Sequence, residues 1–380
     1  MPALAEIIAV LDGWYPPLTA ASWDAVGLTC GDPDERVGRV LLAVDCVPDT
    51  VAEASQRGAQ LLLTHHPLLL SGVHTVRADT PKGALVHRMI RAGVAHFSAH
   101  TNADDAHDGV SQALAETLGL AGVRPIEPAE EPALDQLSVF VPPADLDALV
   151  AALSRAGAGM VGNYDQCTFT VEGVGTYRPL PGADPADGIV GELTRKPEVR
   201  LSMVLPRARR QPVIAAMRAA HPYEEVAFEL TEQARLPAAT GTGRIGELAT
   251  PTTLAEFTTV VAERLPKTAW GVRAAGNPDR PVRVVAVCGG AGGSYADLAR
   301  AAAADVFVTS DLKHHGTLEA VAERVGLGPQ DPMALIDAAH WATEWPWLAR
   351  AAGLLRQRFG AELDIAVSEL VTDPWTLHAP

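Results

Sequence analysis

Twice along this chain, short apolar runs alternate with helix-forming segments, and that rhythm confines the fold to parallel strands joined by helical crossovers. Between residues 37 and 123 the order is VGRVLLAVDC, a helix over 48–57, AQLLLTHH, a helix over 81–92 and VAHFSAHT. It returns as VRVVAVCGGAGG, a helix over 294–303, DVFVTSD, a helix over 315–325 and MALIDAAH. Parallel strands need a crossover rather than a hairpin, so this alternation predicts βαβ units. The expected fold class is α/β (α+β), with two similar αβ halves forming one body.

The stretch between the halves reads differently. IEPAEEPALDQ, over 124–135, is rich in Pro and Glu and marks one boundary; another falls near 232–245. The enclosed segment carries the strands LSVFVPP, CTFTVEG, VRLSMVLP and VAFELTE, with helices near 143–156 and 209–220. Strand-helix-strand-strand-helix-strand is the ferredoxin-like order, which predicts an inserted domain. The expected division is 1–127, 128–235 and 236–380, since 380 residues exceed one typical core. No short-period repeat is evident.

A net charge of −16 repels phosphate backbones, so nucleic acid is disfavoured as a partner. The local run Arg207, Arg209, Arg210 reads as a solvated charged face. Cys30, Cys46, Cys167 and Cys288 show no CxxC spacing, which predicts no disulfide framework and fits a reducing cytoplasm. The opening MPALAEIIAVLDGWYPP lacks a basic leader region and reads as an amphipathic helix ended near Pro16. No uncharged apolar run reaches membrane-spanning length, so no membrane association is expected.

The chemistry gathers where strands end. In LLLTHHPLLL (61–70), Pro67 stops the strand two residues after His65, which leaves His65 and His66 at its carboxyl end. That end is where ligands collect in open α/β sheets. SAHTNADDAHDGV sets His100, Asp104 and Asp105 after another apolar run. IDAAHWATEW spaces His340 and Glu344 four apart, on one face of a helix. Each feature alone also fits ordinary loop histidines or a surface hydrogen bond. Together they supply enough imidazole and carboxylate for two divalent ions if a carboxylate bridges, and the donor set suits zinc, iron, manganese, cobalt or nickel. CGGAGGS (288–294) follows a strand and precedes a helix, yet it lacks the P-loop lysine and reads as a tight turn.

SWDAVGL (22–28), LLLTHHPLLL, SAHTNADDAHDGV, TSDLKHHG (309–316) and AAHWATE (338–344) together resemble the NIF-three-like family, also called GTP cyclohydrolase 1 type 2 homologues. GNYDQCTFTVEGVGTYRP (162–179) and AHPYEEVAFEL (220–230) resemble the insert of its longer bacterial members, a ferredoxin-like domain similar to regulatory trimeric domains. The resemblance implies that His65, His66, Asp104, His340 and Glu344 hold two metal ions, with Glu344 as the bridge. It also implies a homohexamer whose metal sites face an internal cavity capped by the insert. Trp341, Trp345 and Trp347 would fit an interface there, or equally a core within one chain. His-Thr-Asn-Ala-Asp stands where the family usually has His-Thr-Asn-Leu-Asp, a change that spares Asp104; Asp105 would point away if Asp104 points in. His100, Asp311 and His315, in neighbouring motifs, could orient ligands or carry protons.

Two functions follow from these expectations. One is a metal-dependent hydrolase that activates water on a small-molecule substrate, with His100 or His315 moving protons. GTP ring opening is the reaction in the family label, but only Lys313, Arg77 and Lys82 lie near the motifs to meet a triphosphate. The alternative is a non-catalytic metal-binding, sensing or delivery protein. A transcription-related scaffold, suggested by eukaryotic relatives, is opposed by the acidic balance.

Overall fold

Both stretches of βαβ rhythm form sheets whose parallel strands point their carboxyl ends at the histidine-bearing loops. The structure, a computed structural model, describes residues 1–322 and 332–379. It divides into one unit made of Met1–Ala129 with Ala239–Pro380 and another made of Glu130–Ala238.

In the first unit, one sheet runs Gly27–Cys30, Ala95–Ser98, Leu61–Thr64, Arg39–Ala43, Asp364–Val367, parallel except at the Gly27–Cys30 edge. The other runs Val272–Ala275, Ala334–Ala338, Val306–Thr309, Pro281–Val287, Arg244–Thr253, Ala121–Arg124, with its three parallel strands at Pro281–Val287, Val306–Thr309 and Ala334–Ala338. Strands covered on both faces have no polar side to show, and Leu61–Thr64, Ala95–Ser98, Val306–Thr309 and Ala334–Ala338 are buried at every position. The crossover helix Pro81–Ala92 begins with Thr80 accepting from the Gly83 amide and ends at Gly93, whose φ of 64° glycine adopts without strain.

The halves are less separate than the sequence rhythm implies. Ala121–Arg124, from the first half, closes the second sheet against Arg244–Thr253. Asp364–Val367, from the second half, pairs with Arg39–Ala43 in the first. Each half thus covers an open edge of the other, and a single apolar cluster including Leu42, Phe97, Val287, Val308, Trp347 and Leu355 joins them. The helix expected at 294–303 is a short turn, Gly293–Tyr295, followed by Ala296–Ala301. That expected at 315–325 covers His314–Val321, and its last three positions lie outside the described residues.

The Glu130–Ala238 unit is a four-stranded antiparallel sheet in the order Phe228–Glu232, Leu134–Val141, Thr194–Pro206, Phe169–Tyr177. Helices Leu146–Arg155 and Arg210–Ala220 bury Leu149, Leu153, Val213 and Met217 against Leu137, Val139, Leu201 and Met203. Its element order is strand-helix-strand-strand-helix-strand. The basic run is largely committed: Arg207 and Arg210 hold the buried Asp135 carboxylate at 3.1 and 2.8 Å, and both reach Glu232.

Trp341 and Trp347 belong to the core of the first unit rather than to its surface, and Trp347 is fully buried beneath the His65 ring. Its indole donates to the Tyr15 hydroxyl at 3.1 Å. Trp345 is half-buried and donates to the Ser368 carbonyl. Among the described residues no helix is long and apolar enough to cross a membrane.

Arg244, 1% exposed, donates to the carbonyls of Gly241, Gly243 and Ala106 and to the Gln112 side chain, so it ties residues on both sides of the insert. Replacing it by Met leaves those acceptors without a donor. Denaturant titration of Arg244→Met is expected to show a loss of about 3 kcal/mol; an unchanged midpoint would contradict this role.

Candidate metal centre

Six parallel strands of the first unit lead to the same place. Arg39–Ala43 leads to Asp45, Leu61–Thr64 to His65 and His66, and Ala95–Ser98 to His100 and Asp104; Pro281–Val287 leads to Gly290, Val306–Thr309 to Asp311, and Ala334–Ala338 to His340. Glu344 follows one turn along the His340–Phe359 helix, as the four-residue spacing requires.

At the centre stands the buried Glu344 carboxylate. His340 Nε2 lies 2.9 Å and His65 Nε2 3.4 Å from its Oε1, and His66 Nε2 lies 3.1 Å from its Oε2. Asp104 Oδ1 is 3.6 Å from His65 Nε2. Among the described residues, His66, His340 and Glu344 offer donor atoms within 4.8 Å of one another, and so do His65, His66 and His100.

The other nitrogen of each ring is held. His65 Nδ1 meets the Ala99 carbonyl at 2.8 Å, His66 Nδ1 the Asp45 carboxylate at 2.7 Å, His340 Nδ1 that of Asp311 at 2.6 Å, and His100 Nδ1 that of Asp24 at 2.8 Å. Such contacts fix the tautomer that leaves Nε2 as a lone-pair donor. Asp24 also accepts from the Thr101 amide and hydroxyl, which anchors the loop carrying His100 and Asp104. Asp311 has φ 56°, uncommon for a residue with a side chain, at a position that orients the His340 ring.

His65 Nε2, Asp104 Oδ1 and Glu344 Oε2 are buried without a hydrogen-bond partner. An unmatched buried polar atom costs about 1–3 kcal/mol, and a nearby cation would satisfy such atoms. The residues therefore fit a divalent metal. Electrostatics agree. Burial opposes the Glu344 charge, but the His66, His340 and His65 rings hold its carboxyl well below the usual range. Burial likewise opposes protonation of His66 and His340, yet neighbouring carboxylates raise both, His340 to about 9. Burial pushes the Asp104 carboxyl up to about 7. His100 is lowered by burial and by the His65 ring, against the pull of Asp24.

Of the residues singled out in the sequence, His65, His66, His100, Asp104, Asp311, His340 and Glu344 come together here. His315 does not: it is exposed, with its ring edge-on to that of His314. Asp105 faces Thr242 and Arg244 instead. The glycine turn, by contrast, belongs to the centre. Gly290 has φ 64°, and a Cβ there would stand 2.5 Å from Glu344 Oε1 and 3.2 Å from His340 Nε2. Its amide donates to Thr343 Oγ1 at 2.9 Å. Asp45 and Gly290 carry no signal of their own in the sequence beyond their places after apolar strands.

An α/β protein whose strand ends converge on imidazoles and carboxylates is a candidate metal-binding protein. The chain belongs to the Duf34/NIF3 (NGG1p interacting factor 3) family, whose profile matches residues 2–374. It is 50% identical over 377 residues to a GTP cyclohydrolase 1 type 2 homolog of Mycobacterium tuberculosis, covering 98% of this chain and 97% of that one. Among solved structures it resembles a Bacillus cereus protein related to NIF3, with TM-score 0.75, 34% identity and 99% of both chains covered. A Staphylococcus aureus protein matches with TM-score 0.80 and 27% identity over 99% of this chain and 98% of that one.

Two outcomes follow from the geometry. Gly290→Ala should cost about 2 kcal/mol from the left-handed backbone and the crowding of Glu344, and should weaken metal uptake; paired denaturation and metal titration would reveal it, and normal uptake would contradict the close approach. His340 is raised from 6.5 to about 9, so its contribution to the metal-free fold is full below pH 6.5 and lost as pH rises through about 9. A metal displaces that proton, so calorimetry in buffers of different ionisation enthalpy should register proton release, with affinity climbing from pH 6.5 to 9.

Proposed function

We propose that this chain holds two divalent metal ions through His65, His66, Asp104, His340 and Glu344, with Glu344 bridging, and that it is a metal-dependent hydrolase. The observation that carries the reading is the grouping of the His66, His340 and Glu344 donor atoms within 4.8 Å of one another, next to unmatched buried atoms on His65, Glu344 and, 3.6 Å from His65, on Asp104. Among the described residues Glu344 is the one carboxylate with imidazole nitrogens close to both its oxygens, which supports its place between two ions.

Two ions at these residues would supply Lewis-acid activation of water and of a scissile bond. The chain's own groups do the rest. Asp45, Asp311 and the Ala99 carbonyl keep the ligand rings in one tautomer and one orientation. His100 is not needed as one of the five ligands, and its burial and its neighbour His65 favour the neutral ring, which can accept a proton at the nitrogen that Asp24 does not engage. Beside the cluster lies a cleft of about 180 Å³ lined by His66 and His340, room for a small substrate. The relatives' name would make the reaction a ring opening of GTP, but among the described residues no lysine or arginine lines that cleft to receive a triphosphate.

Elemental analysis of protein purified without chelators, beside Glu344→Gln, tests the assignment. The wild type should carry two ions per chain and the variant should lose most of them, since the amide cannot bring charge to both. Asp45→Asn should lower affinity by about 10–100-fold through loss of the His66 orientation. Two ions retained by Glu344→Gln would overturn the bridge.

A further inference from the structure

His65 and His66 are consecutive, yet both rings reach the same carboxylate. His65 Nε2 lies 3.4 Å from Glu344 Oε1 and His66 Nε2 3.1 Å from Glu344 Oε2, with the two ring centroids 5.0 Å apart. Neighbouring residues of a regular strand point to opposite faces, so the chain has to turn between them. It bends at His65 and His66, directly after the strand Leu61–Thr64. The Asp45 carboxylate and the Ala99 carbonyl hold the rings themselves and leave the bend in the backbone to another group.

That group is Thr64. Its hydroxyl lies 2.7 Å from the His66 carbonyl and 2.8 Å from His96 Nε2, and both Thr64 and His96 are fully buried. A carbonyl can only accept and a hydroxyl has one hydrogen, so that hydrogen goes to His66. His96 must then donate from Nε2–H into a lone pair of the hydroxyl, which assigns its tautomer. His96 Nδ1 has no hydrogen-bond partner among the described residues, so the side chain's polar contact is Thr64. Burial lowers the ring to about 4 and keeps it neutral, as a single-donor role requires. The ring is presented by the neighbouring strand Ala95–Ser98, which pairs in parallel with Leu61–Thr64.

We propose that Thr64 and His96 are positioning residues of the metal centre: the Thr64 hydroxyl, oriented by His96 Nε2–H, holds the bend that turns the His65 and His66 rings onto Glu344. The influence of His96 passes through the hydroxyl to the His66 backbone and from there to the two rings. The inference rests on the proposed metal centre for what the bend serves, and the bend itself is independent of any ion.

The test uses the full chain, stripped of metal and titrated with zinc against a chromophoric chelator, with ¹⁵N NMR of the histidine rings on the same samples. At about pH 7 the wild-type His96 should show a protonated Nε2 and a bare Nδ1. Thr64→Val keeps the side-chain shape and deletes the hydroxyl; zinc affinity should fall by about tenfold or more, and the His65 and His66 ring resonances should shift even without metal. Thr64→Ser retains the hydroxyl and should bind zinc within about threefold of wild type. His96→Met should weaken binding when made alone and add nothing to Thr64→Val, because it acts through the hydroxyl. A bare Nε2 on His96, unchanged affinity in Thr64→Val, a loss as large in Thr64→Ser, or additive losses in the double variant would overturn the proposal. If Thr64→Val does not fold, the wild-type tautomer together with Thr64→Ser and His96→Met decides. A wild-type chain that takes up no zinc would remove the metal reading and leave the metal-free ring resonances to decide the bend.

Discussion

The structure turns on a carboxylate that has no business being buried without company. Glu344 sits in the interior, and an ionised carboxylate there is tolerated only where positive charge surrounds it. The rings of His65, His66 and His340 supply that surrounding, at 2.9–3.4 Å. Their orientation in turn depends on Ala99, Asp45 and Asp311, which stand at the ends of other strands. The sheets have to be in register for any of this to occur, so the geometry of the site and the fold are one constraint viewed at two scales.

That dependence explains the interlocking of the two halves. A cluster assembled from six strand ends across two sheets requires the sheets to be held at a fixed separation, with tolerances set by hydrogen bonds. Exchange of Ala121–Arg124 and Asp364–Val367 between the halves provides edge pairing on both sides. Arg350 adds a polar clasp, joining Asp108 and Glu116 from the first half to the long helix that carries Glu344. Trp347, one turn beyond Glu344 on that helix, fills the space under His65.

What was readable in the sequence was whatever local rules govern. Pro67 ends a strand, so His65 and His66 had to project from it; four-residue spacing put His340 and Glu344 on one face; apolar runs marked the strands. The insert's element order was readable for the same reason. The groups that were not readable act across long separations. Asp45 orients a ring 21 residues away and Asp24 one 76 residues away, and nothing near either residue announces the partner. Gly290 matters because of how close its backbone comes to Glu344, a packing property rather than a pattern. His315 misled for the converse reason: it neighbours Asp311 in sequence, but a turn and a helix start between them carry it to the surface. The cleft depends on the segment Thr372–Trp375, which has no regular structure and no period to detect.

X-ray absorption at the metal edge, on protein purified without chelators, tests the central claim most directly. Two ions bridged by Glu344 should give a metal–metal scattering path at about 3.5–4 Å and a first shell of imidazole nitrogen and carboxylate oxygen. A spectrum with no metal–metal path, or a shell containing sulfur, would contradict the account, because among the described residues the cluster offers only histidine, aspartate and glutamate.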